Sequence, residues 1–153
     1  KDFRLTTLAD FERIIGVNMT GTFLTCRDAM PHLPESQGNI VNITSTAALA
    51  GHPWTSSYSA SKGGVLALTL TLAVEFGKLG VRCNAVAPGS INTPIQNAFE
   101  LPEGADPKLL HRIMPLDRMR GPENVAGAVA FLGSDDAAHV NGEVLRVDGG
   151  TLA

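Results

Sequence analysis

A chain of 153 residues, 44% apolar and 18% charged, is long enough for one domain with a real core and ordinary in composition for a soluble protein. Its net charge of −3 argues against nucleic acid or an anionic membrane as partner. No apolar run reaches the roughly 20 residues of a membrane span and no signal-peptide pattern opens the sequence, so a cytoplasmic enzyme or binding protein is expected.

Thr7 is placed to cap a first helix, with Asp10 three residues on favouring the same start. Leu8, Phe11, Ile14, Ile15, Phe23 and Leu24 keep helical spacing through to Met30, and Pro31 and Pro34 are expected to end the helix. Residues 39–44, "NIVNIT", read as a short buried strand after a glycine turn, and "STAALAGHPWTSS" as a loop. A long helix is expected over 57–79, with Gly80 as its stop. Residues 81–88, "VRCNAVAP", form a second strand. Residues 89–107 are rich in Pro, Asn and Gly and read as loop, with a short helix around 108–114. Gly121-Pro122 opens another helix ending near Gly133, and residues 143–150 give a third strand and a turn. Cys26 and Cys83 sit in apolar surroundings without metal-ligand spacing, which points to buried free thiols; no metal site is expected.

Helix–strand–helix–strand–helix–strand is an α/β pattern. The near-continuous apolar strands suit a parallel sheet covered on both faces. The first helix precedes the first strand, so the sequence starts halfway through a repeating unit.

"YSASKGG", residues 58–64, places a tyrosine and a lysine four apart. On a helix such positions lie one turn above each other. The small residues around them, Ser57, Ser59, Ala60, Ser61, Gly63 and Gly64, let another molecule or backbone approach closely. A phenol titrates near 10 and a neighbouring ammonium favours its ionised form; lowering that pKa toward 7 takes about 4 kcal/mol. A tyrosine so tuned moves a proton to or from an alcohol or ketone. Taken alone the spacing is common, and a packed tyrosine beside a solvated lysine satisfies it equally well.

The pair does not stand alone. "VNMTGTF", "GNIVNITSTAALAG", "YSASKGGVLALTLTLAVEFGKLGVRCNAVAPGSINTP" and "GEVLRVDGG" occur in that order, and with them the whole chain resembles the classical short-chain dehydrogenase/reductase family. The resemblance implies a Rossmann-type doubly wound parallel sheet, of which residues 1–153 are the C-terminal three-stranded part of a single domain carrying the catalytic residues and the substrate loop. It implies NAD(P)-dependent interconversion of a secondary alcohol and a ketone by hydride transfer. Tyr58 is then the general acid/base. Lys62 tunes it and hydrogen-bonds the nicotinamide ribose, as does Tyr58. Ser45, thirteen residues before Tyr58, polarises the substrate carbonyl in the manner of an oxyanion donor. Asn18 lies inside an apolar helix beside Gly21, where a π- or kink-type irregularity frees its backbone carbonyl for a water that links Lys62 to solvent. Pro88, Gly89, Ile91 and Thr93 match the segment that contacts the nicotinamide end of the cofactor, NAD or NADP.

Each assignment has a plainer rival. Asn18 on a wet helix face, Ser45 in a loop turn and Thr93 capping a helix are all ordinary. His52 and Trp54 lie in the loop between Ser45 and Tyr58 that borders the substrate in the family, and read equally as pocket lining or surface. His32, His111 and His139 show no ligand spacing and read as solvated or capping. "VDGG", residues 147–150, resembles a family signature whose physical meaning is a tight turn.

The departure from the family is large. The glycine-rich strand–turn–helix that cradles the pyrophosphate has no counterpart here, nor has the residue choosing between NAD and NADP. A βαβαβ unit and its following strand, roughly 90 residues at about 30 per βαβ, are expected to precede this segment in a longer protein. The alternative is a truncated, non-catalytic remnant that keeps the family's assembly surfaces, with an apolar, unpaired edge on the strand at 39–44. The helices at 8–30 and 57–79 carry small residues opposite their apolar faces, which predicts packing against a symmetry mate in a homodimer or homotetramer. Residues 92–118 hold four prolines and the apolar Phe99, Leu101, Leu109, Leu110, Ile113 and Met114. They read as a lid over a mainly apolar small-molecule substrate.

Overall fold

The computed structural model describes residues 1–153, the side chains of Asn97 and Ala98 excepted. Thr7 and Asp10 form the expected capping box at the start of α1, Leu8–Ile15. The helix then widens into a π-turn, Gly16–Thr20, and resumes as α2, Gly21–Ala29. The α-helix ends ahead of the prolines, as expected, with Met30 as its C-cap, and the chain continues in short turns. Pro31 lies in a 3₁₀ turn, Met30–His32, and Pro34 in the first turn of a short helix α3, Leu33–Ser36. At those positions no intrahelical N–H is required of a proline. The helical run stops at Gln37, in the left-handed conformation, and Gly38 leads into β1, Asn39–Ile43.

A 3₁₀ turn, Thr46–Ala48, opens the next loop, and α4 spans Ser56–Phe76. A 3₁₀ turn closes it, and Gly80 at φ 80° gives the left-handed stop that the sequence predicts. Strand β2 is Arg82–Pro88. Between it and α5, Glu123–Gly133, residues form only 3₁₀ segments, Pro94–Ala98 and Pro107–Ile113. Strand β3 is Val144–Val147.

The three strands pair in parallel in the order β1-β2-β3. Side chains alternate between the faces, and the register assigns each helix to one of them. Ile40 and Cys83 are register partners and pack with Met30 of the 3₁₀ turn after α2 and with Leu72, Ala73 and Phe76 of α4. Val41, Val86 and Leu145 point the other way and pack with Val125, Val129 and Leu132 of α5. The sheet is therefore covered on both faces, as a doubly wound α/β fold requires. Both connections step the same way across the sheet while their helices lie on opposite faces, so the two crossovers have opposite hands.

Arg82 and Asn84 tie the second layer together. The Arg82 guanidinium donates to the carbonyls of Leu132 and Ser134, at 2.9 and 3.2 Å, at the C-terminal end of α5. Fully buried Asn84 donates to Val140 O at 2.8 Å and accepts from Glu143 N at 2.9 Å. Cys26 and Cys83 are free and buried, and burial raises both thiols, Cys83 to about 11. No helix among the described residues is long and apolar enough to cross a membrane.

Candidate active site

The buried residues of α4 are Ser57, Ser61, Val65, Thr69 and Ala73, a stripe spaced by four. Small side chains there let the helix sit close on its neighbours. Tyr58 and Lys62 each succeed a stripe residue by one position, roughly 100° around the helix, and so stand at the rim of the buried face. The Lys62 ammonium lies 5.9 Å from the centre of the Tyr58 ring.

Lys62 reaches the end of β1. Its Nζ donates to Ile43 O at 2.8 Å. In a parallel ladder alternate residues turn their backbone groups to one side. Thr44 N donates to Val86 O on β2, so Ile43 presents its N–H and C=O to the opposite edge, where no strand pairs with β1 among the described residues. Burial depresses the Lys62 pKa. The backbone of the same turn is anchored, since Thr44 Oγ1 donates to Lys62 O at 2.9 Å.

Ser45 is buried and extended, two residues beyond that strand end. Its oxygen accepts from Ala47 N at 3.1 Å. That bond uses a lone pair and leaves the hydroxyl proton available for donation. Thr46 Oγ1 donates to Pro88 O at 3.3 Å, tying the serine loop to the end of β2.

Asn18 lies in the π-turn, where the Gly21 N–H reaches back to Gly16 O. The sequence predicts an irregularity here that frees the Asn18 carbonyl. The irregularity is present, but the carbonyl is engaged, accepting from Thr22 Oγ1 at 2.7 Å. The Asn18 side chain donates to Ser61 Oγ at 3.0 Å. Sequence reasoning treats Ser61 as a small spacer and misses this contact, together with those of Thr22 and Thr44. The four-residue recurrence of Ser57, Ser61 and Thr69 is the signal that these polar side chains face inward.

Pro88 ends β2, and Gly89 comes next, in tight contact. A Cβ on Gly89 would lie 2.8 Å from Asp148 Cβ and 2.9 Å from its Cα. Gly89 N also donates to Val147 O at 3.1 Å. Pro88, Ile91 and Thr93, with Ile43 and Val125, line a cavity of about 640 Å³ on the α5 side. Thr93 immediately precedes a 3₁₀ segment, and its side chain makes no capping bond. The cavity and Lys62 thus share Ile43.

His52 and Trp54 occupy the loop before α4. His52 Nε2 is the one buried side-chain nitrogen or oxygen without a hydrogen-bond partner among the described residues, and burial lowers its pKa. Trp54 adopts a left-handed φ of 59°, unusual for a bulky residue. His32, His111 and His139 are exposed, and no group of three metal-ligating side chains occurs among the described residues. Residues 147–150 form a turn: Asp148 accepts from Gly150 N and Leu152 N, and Gly149 and Gly150 have positive φ.

Similarity to known proteins bears on this geometry. A family model described as enoyl-(acyl carrier protein) reductase matches residues 1–151. A 2-(R)-hydroxypropyl-CoM dehydrogenase of Xanthobacter autotrophicus is 44% identical over 150 residues, covering 97% of this chain and 59% of that protein. A 3beta-hydroxysteroid dehydrogenase of Eggerthella lenta is 41% identical over 146 residues, covering 94% of this chain and 56% of that protein. Among solved structures, a 3-ketoacyl-(acyl-carrier-protein) reductase from Brucella melitensis complexed with NADH superposes with a TM-score of 0.88 at 32% identity. It covers 100% of this chain and 62% of that one. The chain therefore spans somewhat more than half the length of these curated relatives.

Proposed function

The chain belongs to the short-chain dehydrogenase/reductase family, and from that premise we propose that it is the catalytic and substrate-loop portion of a Rossmann-type NAD(P)-dependent oxidoreductase that interconverts a secondary alcohol and a ketone. The observation that carries the reading is the convergence at the end of β1. There Lys62 Nζ is held beside the Tyr58 ring, with buried Ser45 two residues beyond Ile43 on the same strand exit. The named activities of the relatives, acting on hydroxyl and keto groups, support the reaction class.

In this reading the Ser45 hydroxyl, its lone pair occupied by Ala47 N–H, donates to the substrate oxygen. It stabilises negative charge on that oxygen as the carbonyl becomes an alcohol. Tyr58 gives the proton in reduction and takes it in oxidation. The Lys62 ammonium stabilises negative charge on the phenolic oxygen. Its depressed pKa marks a partly desolvated site, where such an interaction is stronger than in water. Asn18 holds the solvent end of the proton route through its backbone carbonyl, which keeps a second lone pair beside the bond from Thr22.

The residues present fit a nicotinamide dinucleotide. The cavity beside Ile43 is apolar, as a flat ring requires, and Thr93 forms part of its wall. Pro88, Gly89, Ile91 and Thr93 would hold the nicotinamide end, and Tyr58 and Lys62 the ribose. NAD or NADP, when bound, donates or accepts the hydride. Phe99, Leu101, Leu109 and Met114 are exposed in the segment after β2, which favours a mainly apolar substrate.

Assembly is part of the same proposal. Val17, Phe23, Leu24, Leu70 and Val74 are exposed along α2, α4 and the π-turn, Val74 at 84%. A second copy packed on this face by a twofold axis would cover them. Sedimentation at micromolar concentration is expected to give a dimer or tetramer; a monomer removes this part of the proposal.

The decisive experiment is Tyr58→Phe in the full-length enzyme. Turnover is expected to fall by about 10²–10⁴, with the circular dichroism spectrum unchanged. A variant that keeps most of its kcat refutes the acid/base role. A wild-type enzyme without turnover on any ketone or secondary alcohol, with either cofactor, favours the non-catalytic remnant.

A further inference from the structure

We infer that Ser61 is a positioning residue for the proposed proton route: its hydroxyl locks the π-turn that carries Asn18 to the helical turn that carries Tyr58 and Lys62. The inference rests on the oxidoreductase reading above for its functional meaning, and on geometry for the lock itself. Ser61 is 0% exposed. Its Oγ donates to Tyr58 O at 2.7 Å and accepts from Asn18 Nδ2 at 3.0 Å. A serine bonded back to the carbonyl one turn earlier is ordinary in helices. Here the oxygen's accepting side is used as well. With its single proton committed to Tyr58 O, the hydroxyl has one orientation, and the Asn18 amide is directed to it.

A second contact holds the same turn. Gly64, three residues beyond Ser61, faces Met19: a Cβ on Gly64 would lie 2.5 Å from Met19 Sδ. Consecutive residues 18 and 19 thus dock on positions 61 and 64 of α4. A π-turn inserts one residue into the helix and rotates every later residue by about 100°. Which residue of the turn faces α4 is therefore decided by the helical phase. A regular α-helix through residues 16–20 would present a different side chain to Ser61. The bond to Ser61 selects the phase in which Asn18 faces the dyad, and Thr22 separately holds the Asn18 carbonyl.

The test is Ser61→Ala in the full-length enzyme, with Ser57→Ala as control. Ser57 is a buried serine of the same stripe, 5% exposed, one turn earlier. Ser61→Ala is expected to speed amide hydrogen exchange across residues 16–22 about tenfold. It is also expected to lower kcat about tenfold while changing KM less than about twofold. Ser57→Ala should leave exchange at 16–22 as in the wild type. In the double variant with Asn18→Ala, exchange should be no faster than in either single variant, because both remove the same bond. Unchanged exchange at 16–22 in Ser61→Ala, or equal changes in both serine variants, overturns the lock. Faster exchange with unaltered kcat overturns the positioning role. The exchange arm needs no turnover, so a failure of the oxidoreductase reading is distinguishable from a failure of the lock.

Discussion

Around the end of β1, side chains from the π-turn, the strand and α4 are joined by bonds that each bridge distant parts of the chain: Asn18 to Ser61, Thr44 and Lys62 across the strand–helix gap, Thr46 to Pro88. Residues 90–120 are built differently. Their backbone bonds are mostly local 3₁₀ turns, and among the described residues the ties to the rest of the fold are few: Leu116 N to Gly149 O, Pro115 and Leu116 close against Gly149 and Gly150, and Ile91 and Thr93 in the wall of the cavity beside β2. Within the segment, Ser90 Oγ to Ile113 O and Asn92 N to Arg120 O close it on itself. Both regions flank the same strand exits. In the proposed mechanism the first holds the groups whose spacing a proton transfer requires to fractions of an ångström. In the same proposal the second, tied in at few points, is the segment that conforms to a substrate.

Stability variants sharpen that contrast, and the largest effect belongs to the sheet. Asn84→Ala leaves Glu143 N without its partner and leaves Val140 O only the longer, 3.5 Å bond from Arg82. An orphaned buried group costs on the order of 1–3 kcal/mol, so a loss of about 2 kcal/mol is expected in chemical denaturation. Leu101→Ala, at a residue 45% exposed, is expected to change stability by less than about 0.5 kcal/mol. Equal losses from the two substitutions would show that residues 90–120 are packed as tightly as the sheet.

Legibility in the sequence divides along the same line. The capping box at Thr7 and Asp10, the left-handed stop at Gly80 and the face shared by Tyr58 and Lys62 depend on residues within one turn of each other, and all are readable. The three parallel strands are readable because an apolar run buried on both faces has few other uses. An asparagine in an apolar helix beside a glycine marks the π-turn. The roles of Ser61, Thr22 and the Ile43 carbonyl are hidden, because they depend on which residue of another element lies opposite. Pro31 marks the end of α2 correctly, because its missing N–H cannot continue the helix, but the short turns that Pro31 and Pro34 then open are not readable.

The smallest effect on stability and the largest on binding are expected together in residues 94–118. Four apolar side chains of this stretch, Phe99, Leu101, Leu109 and Met114, are 38–45% exposed. That is too much apolar surface for a solvated tail and too little burial for a core. A rigid excursion serving an interface between copies would expose such residues as well, so exposure does not separate the two. Ligand response does. A lid exchanges its amides rapidly in the free enzyme, because its 3₁₀ bonds open without disturbing the sheet. Cofactor and an apolar ketone bound together give it a surface to close on, and exchange across 94–118 is then expected to slow by about tenfold or more. The region around β1 and α4 should change far less, its bonds being formed already. Slow exchange at 94–118 without ligand, unaltered when cofactor and ketone are added, would leave the interface as the explanation and remove the lid. Rapid exchange that cofactor alone suppresses would place the closing contact on the nicotinamide side, at Ile91 and Thr93, and not on the substrate.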